Sequence, residues 1–129
     1  MGKPISSIMH RTVSPVHMDD TIDIVESVMN AHRISSAPVY DDGGAVIGII
    51  TTTDVVRHHA SGKEGRATKA WELCTYKPLQ VSADTPAPKV AELMVEHRVH
   101  HVLVMEGRSV EGIVSALDFV KLYLDECRG

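Results

Sequence analysis

The sequence predicts an α+β fold made of two copies of one strand–helix–strand–strand–helix unit. Two observations predict it. The first is an ordered recurrence. Asp20-Thr21, Met29, His32-Arg33, Gly48 and Asp54 return as Asp84-Thr85, Met94, His97-Arg98, Gly112 and Asp118. The offset is 64 residues at the Asp-Thr pair, 65 at His-Arg, and 64 again at the glycine and the last aspartate. One residue gained in the second copy's helix is cancelled by one lost in the following loop, which contains Asp41-Asp42-Gly43-Gly44 in the first copy and Glu106-Gly107 in the second. The second observation is a change of hydrophobic period within each copy, from helical spacing to short apolar runs bounded by turn residues.

The elements follow in order. Ile22, Val25, Met29 and His32 recur at helical spacing, and so do Val90, Leu93, Met94 and His97. Asp20-Thr21 and Asp84-Thr85 are natural helix caps, and Pro86 suits a first helical turn. Residues 37–41 and 102–105 read as short strands, followed by hairpin turns. Residues 46–50 and 110–114 read as apolar strands buried on at least one face. A second helix follows each, over 52–60 and 116–126. Ser61-Gly62-Lys63-Glu64-Gly65 breaks the pattern. The expected organisation is a first repeat at 4–60, a linker at 61–69 and a second repeat at 70–126. Each unit alone is marginal in size, so the two are expected to share a core.

Composition narrows the function. The chain has 129 residues and a net charge of −4. Residues 1–64 carry 5 basic and 8 acidic side chains, and residues 65–129 carry 8 and 9. Neither half is basic, which argues against a nucleic-acid surface. One Trp, three Tyr and one Phe leave few platforms for stacking bases. Apolar runs are too short to span a bilayer, and no signal-peptide core is evident at the start. Cys74 and Cys127 make no disulfide framework and fit a reduced, cytoplasmic protein.

The candidate chemistry lies where a strand gives way to a helix. Thr51-x-x-Asp54 and Ser115-x-x-Asp118 match a capping pattern, and an acid in the first turn suits the helix dipole. An ionised carboxylate can also accept from both hydroxyls of a ribose, and both readings can hold together. Gly48 and Gly112 lie inside strands, where glycine signals a close approach by another strand or by a ligand. Arg57 and Lys121 lie three residues past the acids and read as ion-pair partners on an exposed face. His58-His59 and His100-His101 are adjacent, so their side chains diverge, and no metal-ligand spacing accompanies them. No metal is expected.

With these residues in view, the sequence resembles a tandem pair of cystathionine-β-synthase (CBS) domains, a Bateman module. The resemblance spans about residues 4–126. It is carried by Gly48-Ile49-Ile50-Thr51-x-x-Asp54 and Gly112-Ile113-Val114-Ser115-x-x-Asp118, with Ile5-Ser6-Ser7-Ile8-Met9 and Trp71-Glu72-Leu73-Cys74 ahead of the two copies. It implies repeats packed with pseudo-twofold symmetry and two clefts that take adenosyl ligands: AMP, ADP, ATP, NAD or S-adenosylmethionine. It implies a regulatory role, with no catalytic residues and no required cofactor. By the same resemblance, Ser14, Ile34, Ser35 and Ser36 would line the adenosine end of the cleft containing Asp118. His100 and His101 would face ligand phosphate, where a nucleotide-sensing kinase subunit of this family carries His-Arg. The charge offered here is therefore conditional on protonation. The cleft of Thr51 and Asp54 lacks such a pair and is the poorer phosphate site.

The leading expectation is an adenine-nucleotide sensor that works as a homodimer and controls another, unidentified protein. The alternatives are a nucleic-acid-binding module and a purely structural dimerisation module with no ligand. No nucleophile set, Walker loop or paired catalytic carboxylates point to an enzyme.

Overall fold

The computed structural model describes residues 2–64 and 67–128. Residues 65 and 66 of the expected linker lie outside the described residues. The chain forms two compact units: Ser14–Pro78, and the residues up to Val13 together with those from Leu79.

The first unit contains strand β1 (Val16–His17), helix α1 (Ile22–His32), strands β2 (Ser36–Tyr40) and β3 (Val46–Thr51), helix α2 (Thr52–Ala60), helix α3 (Ala70–Leu73) and strand β4 (Thr75–Tyr76). Its sheet runs β1-β2-β3-β4, with β1 parallel to β2 and the other pairs antiparallel. The second unit repeats the plan with β5 (Gln80–Ser82), α4 (Ala87–His97), β6 (His101–Glu106), β7 (Ser109–Ser115) and α5 (Ala116–Arg128). Its sheet runs β5-β6-β7, again parallel and then antiparallel. Even the irregularity repeats: the hairpin register shifts between Val39 and Tyr40 and between Val104 and Met105.

Hydrophobic spacing explains which helix faces are buried. Ile22, Val25 and Met29 of α1 join Val39 and Ile50 in one core. Ala87, Val90 and Met94 of α4 join Val102, Val104 and Val114 in the other. His32 and His97 do not continue the buried stripe. They are exposed and end their helices, each followed by an arginine in the left-handed conformation (Arg33 φ 53°, Arg98 φ 55°).

The expected caps are partly corrected. Thr21 occupies the N-cap position of α1 without a side-chain cap bond. The Asp20 carboxylate instead accepts from the His17 amide at 2.8 Å, within the turn after β1. Pro86 sits at the N-cap of α4, just ahead of the first turn.

The compact units and the sequence repeats partition the chain differently. The segment before the first repeat packs in the second repeat's unit. The Ile5 amide donates to the Thr85 carbonyl at 2.8 Å, the Ala87 amide donates to the Lys3 carbonyl at 2.8 Å, and Ile5 and Met9 are buried in that core. The segment before the second repeat packs in the first repeat's unit. The Ala70 amide donates to the Asp20 carbonyl at 2.8 Å, and Ala70 and Cys74 are buried there. Each segment then runs beside the strand that carries the signature glycine. β4 pairs with β3 at Gly48 and Ile49, and His10 exchanges backbone bonds of 2.9 and 3.0 Å with Ile113 of β7.

This crossing decides the meaning of the two glycines. A Cβ on Gly48 would lie 2.6 Å from the Thr75 carbonyl oxygen and 2.9 Å from the Cys74 Sγ. One on Gly112 would lie 2.7 Å from the His10 carbonyl oxygen and 2.7 Å from the Met9 Sδ. A neighbouring backbone, with no ligand, already requires glycine at both places.

Candidate functional site

In each unit the site forms where the apolar hairpin strand ends and the next helix begins. At the start of α2, Asp54 Oδ2 accepts from the Thr51 amide at 2.8 Å and the Thr51 hydroxyl at 3.0 Å. The Asp54 amide donates back to Thr51 Oγ1 at 3.4 Å, completing a reciprocal cap. At the start of α5, Asp118 Oδ2 accepts from the Ser115 amide at 2.8 Å and its hydroxyl at 3.1 Å. The capping reading of both acids therefore holds.

The cap engages one oxygen of each carboxylate. Asp54 Oδ1 accepts no hydrogen bond among the described residues, whereas Asp118 Oδ1 accepts from His10 Nε2 at 2.6 Å. The Asp118 side chain is 6% exposed and that of His10 is 61% exposed. Sequence reasoning missed His10. It stands 108 positions from Asp118, and only the crossing segment brings the two together.

The expected ion pairs of Arg57 with Asp54 and of Lys121 with Asp118 do not form among the described residues. Both carboxylates turn back toward the residue that starts the helix.

The residue pair at the start of each middle strand lies beside the same turn. The Thr52 amide donates to the Ser35 carbonyl at 2.9 Å, and Ser36 stands opposite Thr51 in the β2–β3 ladder. Likewise the Ala116 amide donates to the His100 carbonyl at 2.9 Å, and His101 stands opposite Ser115. The first unit thus gathers Ser35, Ser36, Thr51 and Asp54, and the second gathers His100, His101, Ser115, Asp118 and His10. Ile34 packs against the first core, and Ser14 is a half-buried residue two positions before β1. Beside His100 and Ala116, a cavity of about 440 Å³ is walled by Met94, Val95, Val99 and Phe119.

The other histidines separate as adjacency predicts. His58 is buried, with Nε2 lacking a hydrogen-bond partner among the described residues, while His59 Nε2 donates to Glu26 Oε1 at 2.8 Å. Among the described residues one cluster could hold a metal ion: ligand atoms of His17, Asp19 and Asp42 lie within 4.8 Å of one another. The His17 ring is already engaged there. Nδ1 accepts from the Asp19 amide at 3.0 Å, which leaves Nε2 to donate to Asp42 Oδ1 at 2.7 Å.

Near the first site, burial pushes the Cys74 thiol up from its ordinary range, and the Asp54 charge adds to the rise. That thiol is therefore a poor nucleophile at neutral pH.

Comparison with known proteins matches this geometry. The CBS domain profile matches residues 5–61 and again 70–125. The mitochondrial CBS domain-containing protein CBSX3 of Arabidopsis thaliana is 31% identical over 116 residues, covering 85% of this chain and 56% of that protein. An uncharacterised protein of Methanocaldococcus jannaschii, MJ1404, is 28% identical over 138 residues, covering 97% of this chain and 33% of that one. The chain thus spans less than two thirds of the length of these relatives. Among solved structures, the CBS domain pair of protein MJ0100, in complex with methylthioadenosine and S-adenosyl-L-methionine, superposes with a TM-score of 0.82. It shares 26% identity, covering 93% of this chain and 98% of that one. Two profile matches in register with two sheets and their repeated strand-to-helix turns place this chain in the CBS domain family, as a tandem pair of CBS repeats.

Proposed function

We propose that this chain is a regulatory module that binds an adenosyl ligand and passes that information to a partner protein. The ligand class comprises AMP, ADP and ATP, with NAD and S-adenosylmethionine beside them. One observation carries the reading. At both strand-to-helix turns the cap holds one carboxylate oxygen, leaving the other, Oδ1 of Asp54 and of Asp118, outside the cap. A carboxylate so placed can accept from a ribose diol without losing its helix. The MJ0100 domain pair, whose structure contains two adenosyl compounds, supports the class. His100 and His101, beside Ser115, are the groups offered to a phosphate. The same reading makes the chain a cytoplasmic regulator with no catalytic residues of its own.

The module works as a homodimer in this proposal. Val95 of α4 and Tyr123 of α5 are exposed beside a groove of about 640 Å³ that also includes Phe119 and Leu122, and α5 further exposes Leu117, Val120 and Leu124. Apolar surface of that extent is seldom left to water. A second reading, a structural dimerisation module without ligand, draws on the same face and on a cap at Asp54 that is complete by itself.

Mass spectrometry of small molecules released from the purified protein tests the proposal, followed by calorimetry with the released compound. Recovery of an adenosyl compound that rebinds supports it. No such compound, with no heat from AMP, ATP, NAD or S-adenosylmethionine at millimolar concentration, favours the ligand-free module.

A further inference from the structure

We propose that His10 is a displaceable stand-in for the ligand's ribose at Asp118, so that ligand binding and the His10–Asp118 contact exclude one another. The inference rests on the reading of Asp118 as a ribose acceptor.

Asp118 Oδ2 is committed to the amide and hydroxyl of Ser115, so Oδ1 is the oxygen left for a ligand. His10 Nε2 already donates to it, at 2.6 Å. The imidazole thereby supplies one of the two donors that a vicinal diol would bring to this carboxylate. A buried carboxylate with a vacant oxygen is costly, and the histidine satisfies it when no ligand is present.

The contact is also built to open. The His10 backbone is pinned by two bonds to Ile113, while its side chain is 61% exposed. Rotation about the side-chain bonds moves the ring into solvent without disturbing that bridge or the Met9 packing over Gly112. The first repeat lacks the device: Thr75 occupies the equivalent crossing position beside Ile49, and Asp54 Oδ1 takes no donor among the described residues. The two acids therefore differ in how much a ligand must displace.

The apparent affinity of a site is reduced by the fraction of molecules held closed. A hydrogen bond to the buried carboxylate closes the Asp118 site in most molecules, so removing it should tighten binding about six-fold, which is ~1 kcal/mol.

The test is calorimetric titration of adenosine into the wild-type protein, His10→Ala and His10→Ala/Asp118→Asn. The proposal expects His10→Ala to bind adenosine several-fold more tightly, and the double variant to lose that gain. Equal or weaker binding by His10→Ala, with the wild type binding normally, overturns the displacement but leaves the adenosyl reading intact. Absence of binding by wild type and His10→Ala alike overturns both. A second readout needs no variant. On titrating the wild type with adenosine, the ¹⁵N resonance of His10 Nε2 should move toward that of a solvent-exposed imidazole. An unchanged resonance at saturation overturns the proposal.

Discussion

Replacing Gly112 by alanine measures how tightly the crossing segment is held against β7. The added Cβ would lie 2.7 Å from the His10 carbonyl oxygen and 2.7 Å from the Met9 Sδ. Met9 can re-aim its flexible thioether, but the carbonyl is backbone. Reaching ordinary contact requires the segment to retreat by about 0.7 Å. A shift of that size weakens the bonds of 2.9 and 3.0 Å between His10 and Ile113. Their loss costs about 2 kcal/mol, and overpacking of a tight core adds about 1–3 kcal/mol. Against this, removing a strand glycine returns about 0.5–1 kcal/mol. The net expectation is a destabilisation of roughly 2–4 kcal/mol. With a urea slope of about 2 kcal/mol per molar, the unfolding midpoint should fall by ~1 M or more. The assay is urea unfolding followed by circular dichroism at fixed protein concentration, since dimerisation would shift the midpoint. Gly43→Ala is the control: its Cβ would meet nothing nearer than Asp41 Oδ1 at 3.5 Å. If Gly112→Ala moves the midpoint no more than Gly43→Ala does, the crossing segment is not held where the structure puts it.

Three further outcomes follow from the same account. Cys127 is exposed and Cys74 buried with its thiol pushed up, so one thiol should react quickly with Ellman's reagent in native protein and two in urea. The sign is that of a group protonated more strongly when folded. Its stabilising contribution is present below the ordinary thiol range and is lost as pH rises from that range through the raised value, so labelling of Cys74 in native protein should stay slow until the pH is alkaline. Tyr123→Glu, on the exposed face of α5, should convert a dimer to a monomer by light scattering, and a wild type that is already monomeric would contradict the dimer. His100→Gln/His101→Gln should weaken AMP binding while leaving adenosine binding nearly intact; equal losses for both ligands would mean that the pair shapes the pocket without reading phosphate.

Much of the fold is legible because its strongest elements are local. The expected strands at 46–50 and 110–114 fall within β3 and β7, and the expected helix over 52–60 coincides with α2. Their apolar runs and turn residues carry the signal unaided. The crossing segments are not legible in the same way. The pairing of β4 with β3 and of His10 with Ile113 involves only one or two residues on the crossing side, too few to show a period. Gly48 and Gly112 mark a close approach, but the glycines alone cannot tell a strand from a ligand. At the site, the Thr51-x-x-Asp54 and Ser115-x-x-Asp118 spacing revealed the caps, because capping is a local geometry. The His10–Asp118 contact is long-range and had no such spacing to reveal it. The caps assigned to Asp20 and Thr21 failed for a related reason. The Asp20 carboxylate found the His17 amide, a donor placed by the turn after β1.

The central claim is that the carboxylate beside Ser115 receives the ribose of an adenosyl ligand. Calorimetric titration of AMP into wild type, Asp118→Asn and Asp54→Asn tests it most directly, with thermal melts of all three in parallel. The account predicts that Asp118→Asn weakens AMP by roughly ten-fold or more, the scale of a charge-assisted hydrogen bond, and by more than Asp54→Asn does. AMP affinity unchanged in both variants, with only their melting temperatures lowered, would reduce the two acids to helix caps and contradict the account.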